Sequence, residues 1–508
     1  MNRRTRFIAS VALIALSVGM GVGGAKAQTP TPSFALVGHL EQLDVTNLAD
    51  PLSAGSMVVN GTRITLPRNL LIKMPGQYLT VNDLFRGKHP GKAPALAAAS
   101  KPSGLALADP PPRKPPVPFE VEVIGNIIGT EYVAGWVSIA QLGLHTGAGF
   151  IQSIDYATGT LIVGPEGGPP MARIRINDPR GTYGKPNSSK GVGSGMDDRF
   201  AADPGNAPVV SQTGFPMCVP LSAAGDSDCP LTNRGTGGNE KRFTCGAVAV
   251  SVDPTAPARS ACLPDKKAPL VVGDYITYSG MLTEETPGAG NFFIAAHAIS
   301  SLTGIYTSPG ADPAYVLIEE AIIGTLGAPF PPPNDNQEQT SRFVFVGFTT
   351  DPTRRVDVFV IDTSQGDPDE LERRLTTLNP QRAGQIGRIR VTLPAKANFL
   401  PITRDVRIRI EGHSSVKVGG SLDSGQYTAP VAEYIYPENT RWGIPRFPVS
   451  VPFENFCFLR NGGGRLGTLG RDELPNPHPL RPAIGALLPF PSSGQGPQVK
   501  SDGTTACP

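Results

Sequence analysis

Four arginines make the clearest polar pattern in this 508-residue sequence: Arg388 and Arg390 in "RIRV", and Arg407 and Arg409 in "VRIRI". Residues two apart on a strand share a face, so each arginine pair points one way while the intervening Ile and Val point the other. If the two strands pair, four guanidinium groups form a patch suited to carboxylate or sulfate, groups that the planar fork binds in bidentate fashion. That chemistry would hold an anionic extracellular polymer. The competing reading is a solvated face whose charge is neutralised by Asp357, Asp362, Glu370 and Glu372. Few aromatic residues interleave with the arginines, which argues against stacked bases.

Other candidate motifs lack the context their chemistry requires. "GGGRLG", Gly462 to Gly467, fits a dinucleotide fingerprint, but the proline-containing "TLGRDELPNPHPL" follows it where a helix must open. "GHSSV" approaches a nucleophile elbow at Ser414, yet Val416 replaces the second glycine and no helix pattern follows. His39, His89, His145, His297, His413 and His478 are scattered, with none three or four residues from another, so zincin-type ligation is not expected. His297, in "IAAHAIS", reads as a strand residue with a satisfied ring. Asp197, Asp198, Asp203 and Asn206 form one acidic loop, and Asp362, Asp367, Asp369 and Glu370 another; neither has EF-hand spacing. Tyr132, Trp136 and Tyr156 could make a sugar platform, but isolated strand aromatics normally fill cores. No metal and no cofactor is expected.

The elements that would carry these residues are strands. Gly and Pro number 59 and 53, a share that predicts many turns and long irregular stretches, while 39% hydrophobic residues suffice for several cores. "GHLEQLDV" from Gly38 and "GFIQSID" from Gly149 repeat one pattern, each followed by a turn and a short apolar strand ending on glycine. Asn60-Gly61 between two apolar runs is a strong hairpin signal. Asp351-Pro352-Thr353 is read as a second hairpin turn, and Asp367 to Leu378 as the one good helix, with Leu371, Leu375 and Leu378 along a face.

The expected architecture is mainly β, with several small antiparallel barrels or sandwiches of OB-like type joined by Pro/Gly-rich linkers and little helix. The expected order is a signal segment (1–27), a β domain (28–90), a Pro/Ala-rich linker (91–118) and a second β domain (119–177). A cysteine-containing irregular insertion (178–267), a third β domain (268–325) and a Pro-rich linker (326–340) follow. A fourth β domain with the helix (341–460) and a Gly/Pro-rich tail (461–508) complete it.

Arg3, Arg4 and Arg6, the apolar run Phe7 to Gly24 and the A-x-A site at Ala25-Lys26-Ala27 predict an export signal cleaved after Ala27, giving a secreted or periplasmic chain with no stable membrane anchor. Of 45 basic residues, four lie in this segment; the remaining 41 face 43 acids, a net charge of −2. That balance removes the electrostatic case for nucleic acid. Six cysteines in an exported chain predict disulfides: Cys218–Cys229 and Cys245–Cys262 as the local choice among three pairings, and Cys457–Cys507 in the tail.

The segments "VGDYITYSGML" and "FFIAAHAI" resemble OB-like barrel repeats in exported bacterial proteins of unknown function. "VIGNIIGTEYVAGWVSIAQ", "TGFPMCVP" and "APVAEYIYPEN" resemble uncharacterised secreted proteins of fungi and bacteria. The resemblance implies a β-rich exported protein and brings no catalytic residues with it. Three functions are compatible with the sequence. The first is a non-catalytic structural or interaction protein of the envelope or extracellular space, the second a binder of anionic polymer through the four arginines. The third is a secreted hydrolase whose carboxylates gather from separate domains.

Overall fold

The computed structural model describes residues 33–438 apart from 51–52, 68–69, 76, 86–99, 112, 142–144, 187–195, 202–205, 236–240, 247–257, 260–261, 287, 327–340, 362–371, 395–404, 420–421 and 431–436. The signal segment, Cys457, Cys507 and the "GGGRLG" loop lie outside the described residues.

The first body contains β1 (Ser33–Val45), β2 (Gly55–Val59), β3 (Thr62–Leu66), β4 (Leu71–Met74), β5 (Gln77–Thr80), the one-turn helix α1 (Val81–Leu84), β6 (Glu120–Ile128) and β7 (Glu131–Ala140). Antiparallel neighbours run β3-β2-β1-β6-β7. Strand β7 then returns to β3 in parallel, Ile64 opposite Tyr132, and closes a five-stranded barrel. As expected, Asn60 and Gly61 both take positive φ (49° and 70°) between β2 and β3.

The second body repeats this plan with β8 (Thr146–Asp155), β9 (Thr160–Gly164), β10 (Ala172–Ile176), β16 (Tyr275–Glu284) and β17 (Phe292–Ser301). The order is β10-β9-β8-β16-β17, closed by a parallel β10–β17 pairing with Ile174 opposite Ile294. Both barrels therefore have the OB strand order, first to fourth antiparallel and third to fifth parallel. The edges that aggregate in open sheets are consumed by closure.

The sequence repeat is the first strand of each barrel, and it builds a wall. Leu40 and Ile151 are buried in their respective cores. One residue later each strand carries a β-bulge, at Glu41 and at Gln152. Each bulged side chain fastens the turn that follows the second strand. Glu41 accepts the Gly61 N–H at 3.1 Å, and Gln152 donates to the carbonyls of Pro165 and Gly168 at 2.9 and 2.8 Å. Asp155, at the end of the second copy, caps its turn by accepting from the Ala157 N–H and the Thr158 hydroxyl.

Between β10 and β16 lies an insertion held by short strands: β11 (Val209–Ser211), β12 (Met217–Cys218), β13 (Arg242–Cys245), β14 (Ala258–Arg259) and β15 (Ala268–Pro269). The two local disulfides form as expected, Cys218–Cys229 and Cys245–Cys262, with all four cysteines buried. Arg234 and Asp274, both fully buried, make a two-pronged ion pair with bonds of 2.9 and 3.0 Å, to which Lys241 adds a third contact at 2.8 Å.

Beyond β18 (Gly304–Thr307), which pairs with β13, a third body has two facing sheets. One contains β19 (Val316–Leu326), β20 (Ser341–Thr349), β23 (Arg388–Pro394) and β28 (Pro437–Glu438). The other contains β21 (Val356–Ile361), β22 (Glu372–Leu378), β24 (Asp405–Ile410) and β27 (Gln426–Pro430). Val316, Phe345, Val358, Ile389, Val406 and Ile408 from both sheets share one core. The small hairpin β25 (Lys417–Val418) and β26 (Leu422–Asp423) instead buries Val418 and Leu422 in the core of the second barrel.

Four expectations need correction. The segment expected as a domain boundary does not separate two domains, because β6 pairs with β1 across it. Its described part (100–111, 113–118) packs on the first barrel with Leu105 and Ala106 fully buried, and Leu107 donates to the Leu40 carbonyl. The division falls instead between β7 and β8, inside the expected second domain. Residues 372–378 are strand β22, not helix. A bulge opposite Val358 and Phe359 leaves Leu375 unpaired, so leucines three apart can both pack on the sandwich core without helical periodicity. Finally, β20 and β21 are not a hairpin. Asp351, fully buried, accepts from Gly310, Thr353 and Arg354 and carries the chain round a corner from one sheet to the other.

Candidate functional site

The four arginines do not assemble into one patch. Arg388 and Arg390 sit on β23 and Arg407 and Arg409 on β24, strands of different sheets whose inward residues share the sandwich core. Each pair points away from that core, as the alternation predicts, and so onto a different outer face. Arg407 and Arg409 are occupied: both bind Glu372, and Arg409 also lies over the Phe359 ring. Arg388 bonds the Gln385 amide.

Several of the remaining sequence candidates serve the fold, while His89, Asp203, Asp362, Asp367, Asp369, Glu370 and His478 lie outside the described residues. Ser414 donates its N–H to Asp312 after a strand end, with no helix behind it. Asp197 caps a single 3₁₀ turn (Asp198–Phe200) and grips the Arg199 guanidinium. Tyr132 packs edge-on to Phe34 at 5.1 Å. Among the described residues no cluster of three or more His, Cys, Asp or Glu is placed to hold a metal ion.

A concavity with convergent polar groups lies where the second barrel meets the sandwich, a groove of about 800 Å³. Strands β8, β16 and β17 form its floor with Thr146, Gly147, Thr277, Tyr278, Ser279, His297, Ile299 and Ser300. One wall comes from the insertion (Asn206, Pro208, Gln212), the other from the sandwich (Leu317, Glu319, Phe348, Tyr427). Asn206 locks the walls together: its amide accepts the Thr428 N–H at 3.0 Å and donates to the Thr428 carbonyl at 2.5 Å. The Tyr278 ring lies directly across Gly147, where a Cβ would come 2.3 Å from its hydroxyl, so glycine opposite is what lets the ring lie there. Burial raises the Tyr278 phenol, which stays protonated as a donor.

Two β-bulges bring the ionisable side chains to this groove. In the β16–β17 ladder the register slips at His297, opposite Ser279 and Gly280; in the β19–β20 ladder it slips at Glu319. The His297 ring is largely desolvated, which lowers its pKa from 6.5 to about 4 and keeps it neutral near pH 7. Its Nδ1 is buried and makes no hydrogen bond to a described residue, against the expectation of a satisfied ring. No hydrogen bond or ion pair joins His297 to Glu319.

The first barrel shows that the fold does not need this histidine. Its β6–β7 ladder has the same slip, between Ile124 and Gly125, and the bulged residue there is Gly135. Gly125 corresponds to Gly280: a Cβ on either would strike the carbonyl of the partner strand, Val133 O at 1.9 Å or Ala295 O at 2.6 Å. One frame thus holds glycine in one copy and an unpartnered imidazole in the other. Sequence reading missed this because His297 sits in an ordinary apolar alternation; aligning the two glycine-containing hairpins would have revealed it.

No family model matches the chain, and neither curated proteins nor solved structures give a match.

Proposed function

We propose that this is an exported, non-catalytic interaction protein whose groove between the second barrel and the sandwich takes a strand of neutral polysaccharide. The observation that carries the reading is His297, a neutral ring with a buried, unpartnered nitrogen at a bulge where the sister barrel manages with glycine. His297 lines the groove, and a neutral imidazole can donate to or accept from a sugar hydroxyl there. Hydroxyls of Thr146, Thr277, Ser279 and Ser300, the Gln212 amide and the rings of Tyr278 and Tyr427 surround it. That mixture of apolar faces and short polar groups suits polyhydroxylated chains.

The charge pattern favours a neutral polymer. Among the described residues Glu319 is the one acid lining the groove and no arginine or lysine lines it, so these residues offer a polyanion no countercharge. Two-carboxylate glycoside hydrolysis also lacks its second acid among these residues. Two buried disulfides are compatible with an oxidising compartment, and among the described residues no helix is long and apolar enough to cross a membrane. The export signal and cleavage after Ala27 belong to this proposal.

The test is binding of a soluble neutral β-glucan such as laminarin by calorimetry, with alginate as polyanion control. Laminarin is expected to bind, with at least tenfold loss in Tyr278→Ala and in His297→Gly, while alginate does not. Equal binding by wild type and both variants refutes the groove. New reducing ends during incubation refute the non-catalytic assignment.

A further inference from the structure

A second pocket, of about 210 Å³, opens beside the Cys218–Cys229 disulfide and shares no lining residue with the groove. At its base stands Lys267, whose side chain is almost fully buried, 2% exposed for the whole residue. Its backbone is fixed on both sides: the N–H donates to the Asp228 carbonyl at 3.2 Å, and the carbonyl accepts from the Asn233 amide at 3.1 Å. The ammonium nitrogen lies 5.7 Å from the centre of the Tyr183 ring and makes neither hydrogen bond nor ion pair to a described residue. Gly419, at φ 56°, forms the opposite wall, so close that a Cβ would stand 2.5 Å from Nζ.

The carboxylates nearby are committed elsewhere. Asp226 accepts the N–H groups of Leu221, Asp228 and Cys229. Asp228 faces Lys266 at 3.4 Å. Asp178, whose pKa burial raises, accepts from the N–H groups of Arg180 and Tyr183. Lys267 therefore feels three carboxylates at a distance and touches none. Burial lowers the amine below 10.5, opposed by Asp228, Asp226 and Asp178 and reinforced by Lys266. The mouth is at the surface, where Leu221 is exposed and the Asp228 side chain is 53% exposed.

We propose that Lys267 is a covalent capture site for a small carbonyl compound, an aldehyde or ketone of a few carbons, held as an imine in the pocket beside the Cys218–Cys229 disulfide. The amine lone pair forms the C–N bond while the carbonyl C–O π pair moves to oxygen. The carbinolamine then loses that oxygen as water, taking both amine protons, and leaves C=N. No oxidant or reductant is involved. Burial without a contacting carboxylate is how proteins make lysine nucleophilic. A free inorganic anion is the poorer ligand, because Asp226 and Asp228 line the same pocket. The volume is below that of sites for drug-sized molecules, which limits the ligand to a short chain.

The test is reductive alkylation of the folded full chain with propanal and cyanoborohydride at pH 7, followed by mass-spectrometric peptide mapping. Lys266 is the internal control: it is next in sequence, 32% exposed and paired. Lys267 is expected to label at least tenfold faster than Lys266 and the exposed Lys417, and to lose that advantage in urea. Gly419→Ala, which crowds Nζ, is expected to suppress labelling at Lys267 and leave Lys266 unchanged. Equal or slower labelling of Lys267 in the native chain overturns the proposal. So does protection by millimolar phosphate, which would mark an anion site. The result is independent of whether the groove binds glucan.

Discussion

The buried imidazole in the groove makes acid stability a direct test of the structure. His297 is lowered to about 4 in the folded chain from an ordinary 6.5. Between those values the unfolded chain binds a proton that the folded chain refuses, so stability is complete above pH 6.5 and is lost as pH falls towards 4. At 1.36 kcal/mol per pH unit, the difference amounts to about 3 kcal/mol from this one residue. His145 acts in the same direction, since burial also lowers it, with Glu120 opposing. Replacing His297 with glycine reproduces the bulge residue of the first barrel, so the backbone frame has a precedent. The assay is urea unfolding at intervals from pH 7.5 to pH 4, followed by near-ultraviolet circular dichroism. Wild type should lose about 3 kcal/mol more than His297→Gly across this range. If the two curves run parallel, the ring is either solvated or hydrogen-bonded in solution, and the argument for a vacant polar site in the groove fails with it.

Three further outcomes follow from the packing. Gly280→Ala would drive a Cβ into the Ala295 carbonyl. It should cost about 2 kcal/mol or more by denaturant midpoint, as overpacking does. Arg234→Leu strips the two-pronged partner from buried Asp274 and leaves it Lys241 and the Val271 N–H; a loss of about 3 kcal/mol in chemical unfolding is expected. Replacing Cys245 and Cys262 by serine opens a 17-residue separation; the expected loss is about 3 kcal/mol by thermal denaturation, less if the reduced chain keeps residual structure.

Strand content was legible because glycine-punctuated alternation leaves few alternatives, and the Asn60-Gly61 turn and local cysteine pairs were legible from chemistry acting over a few residues. What failed was long-range. The segment before Phe119 looks like a linker by composition, yet buried Leu105 and Ala106, with backbone bonds from Leu107 and Ala108 to Leu40 and Glu41, bind it to the barrel. Leu375 and Leu378 mimic a helical face because a bulge inserts one residue into a strand. The arginine pairs alternate as expected, but whether β23 and β24 are neighbours depends on sheet order, which local pattern does not encode. His297 was visible in the sequence and misjudged, since only the register of β17 against β16 shows that it occupies the bulge.

One attachment between the bodies limits how the chain can be divided. Arg199, from the segment that leaves the second barrel after β10, sends its guanidinium to the carbonyls of Leu84 and Ser103 in the first, and its neighbour Phe200 stacks on Phe119 with centroids 4.9 Å apart. A fragment truncated after β7 would keep every strand of its barrel yet present two stripped acceptors and a bare aromatic face to solvent. Such a piece should be prone to self-association, so the smallest well-behaved unit of this protein contains both barrels together.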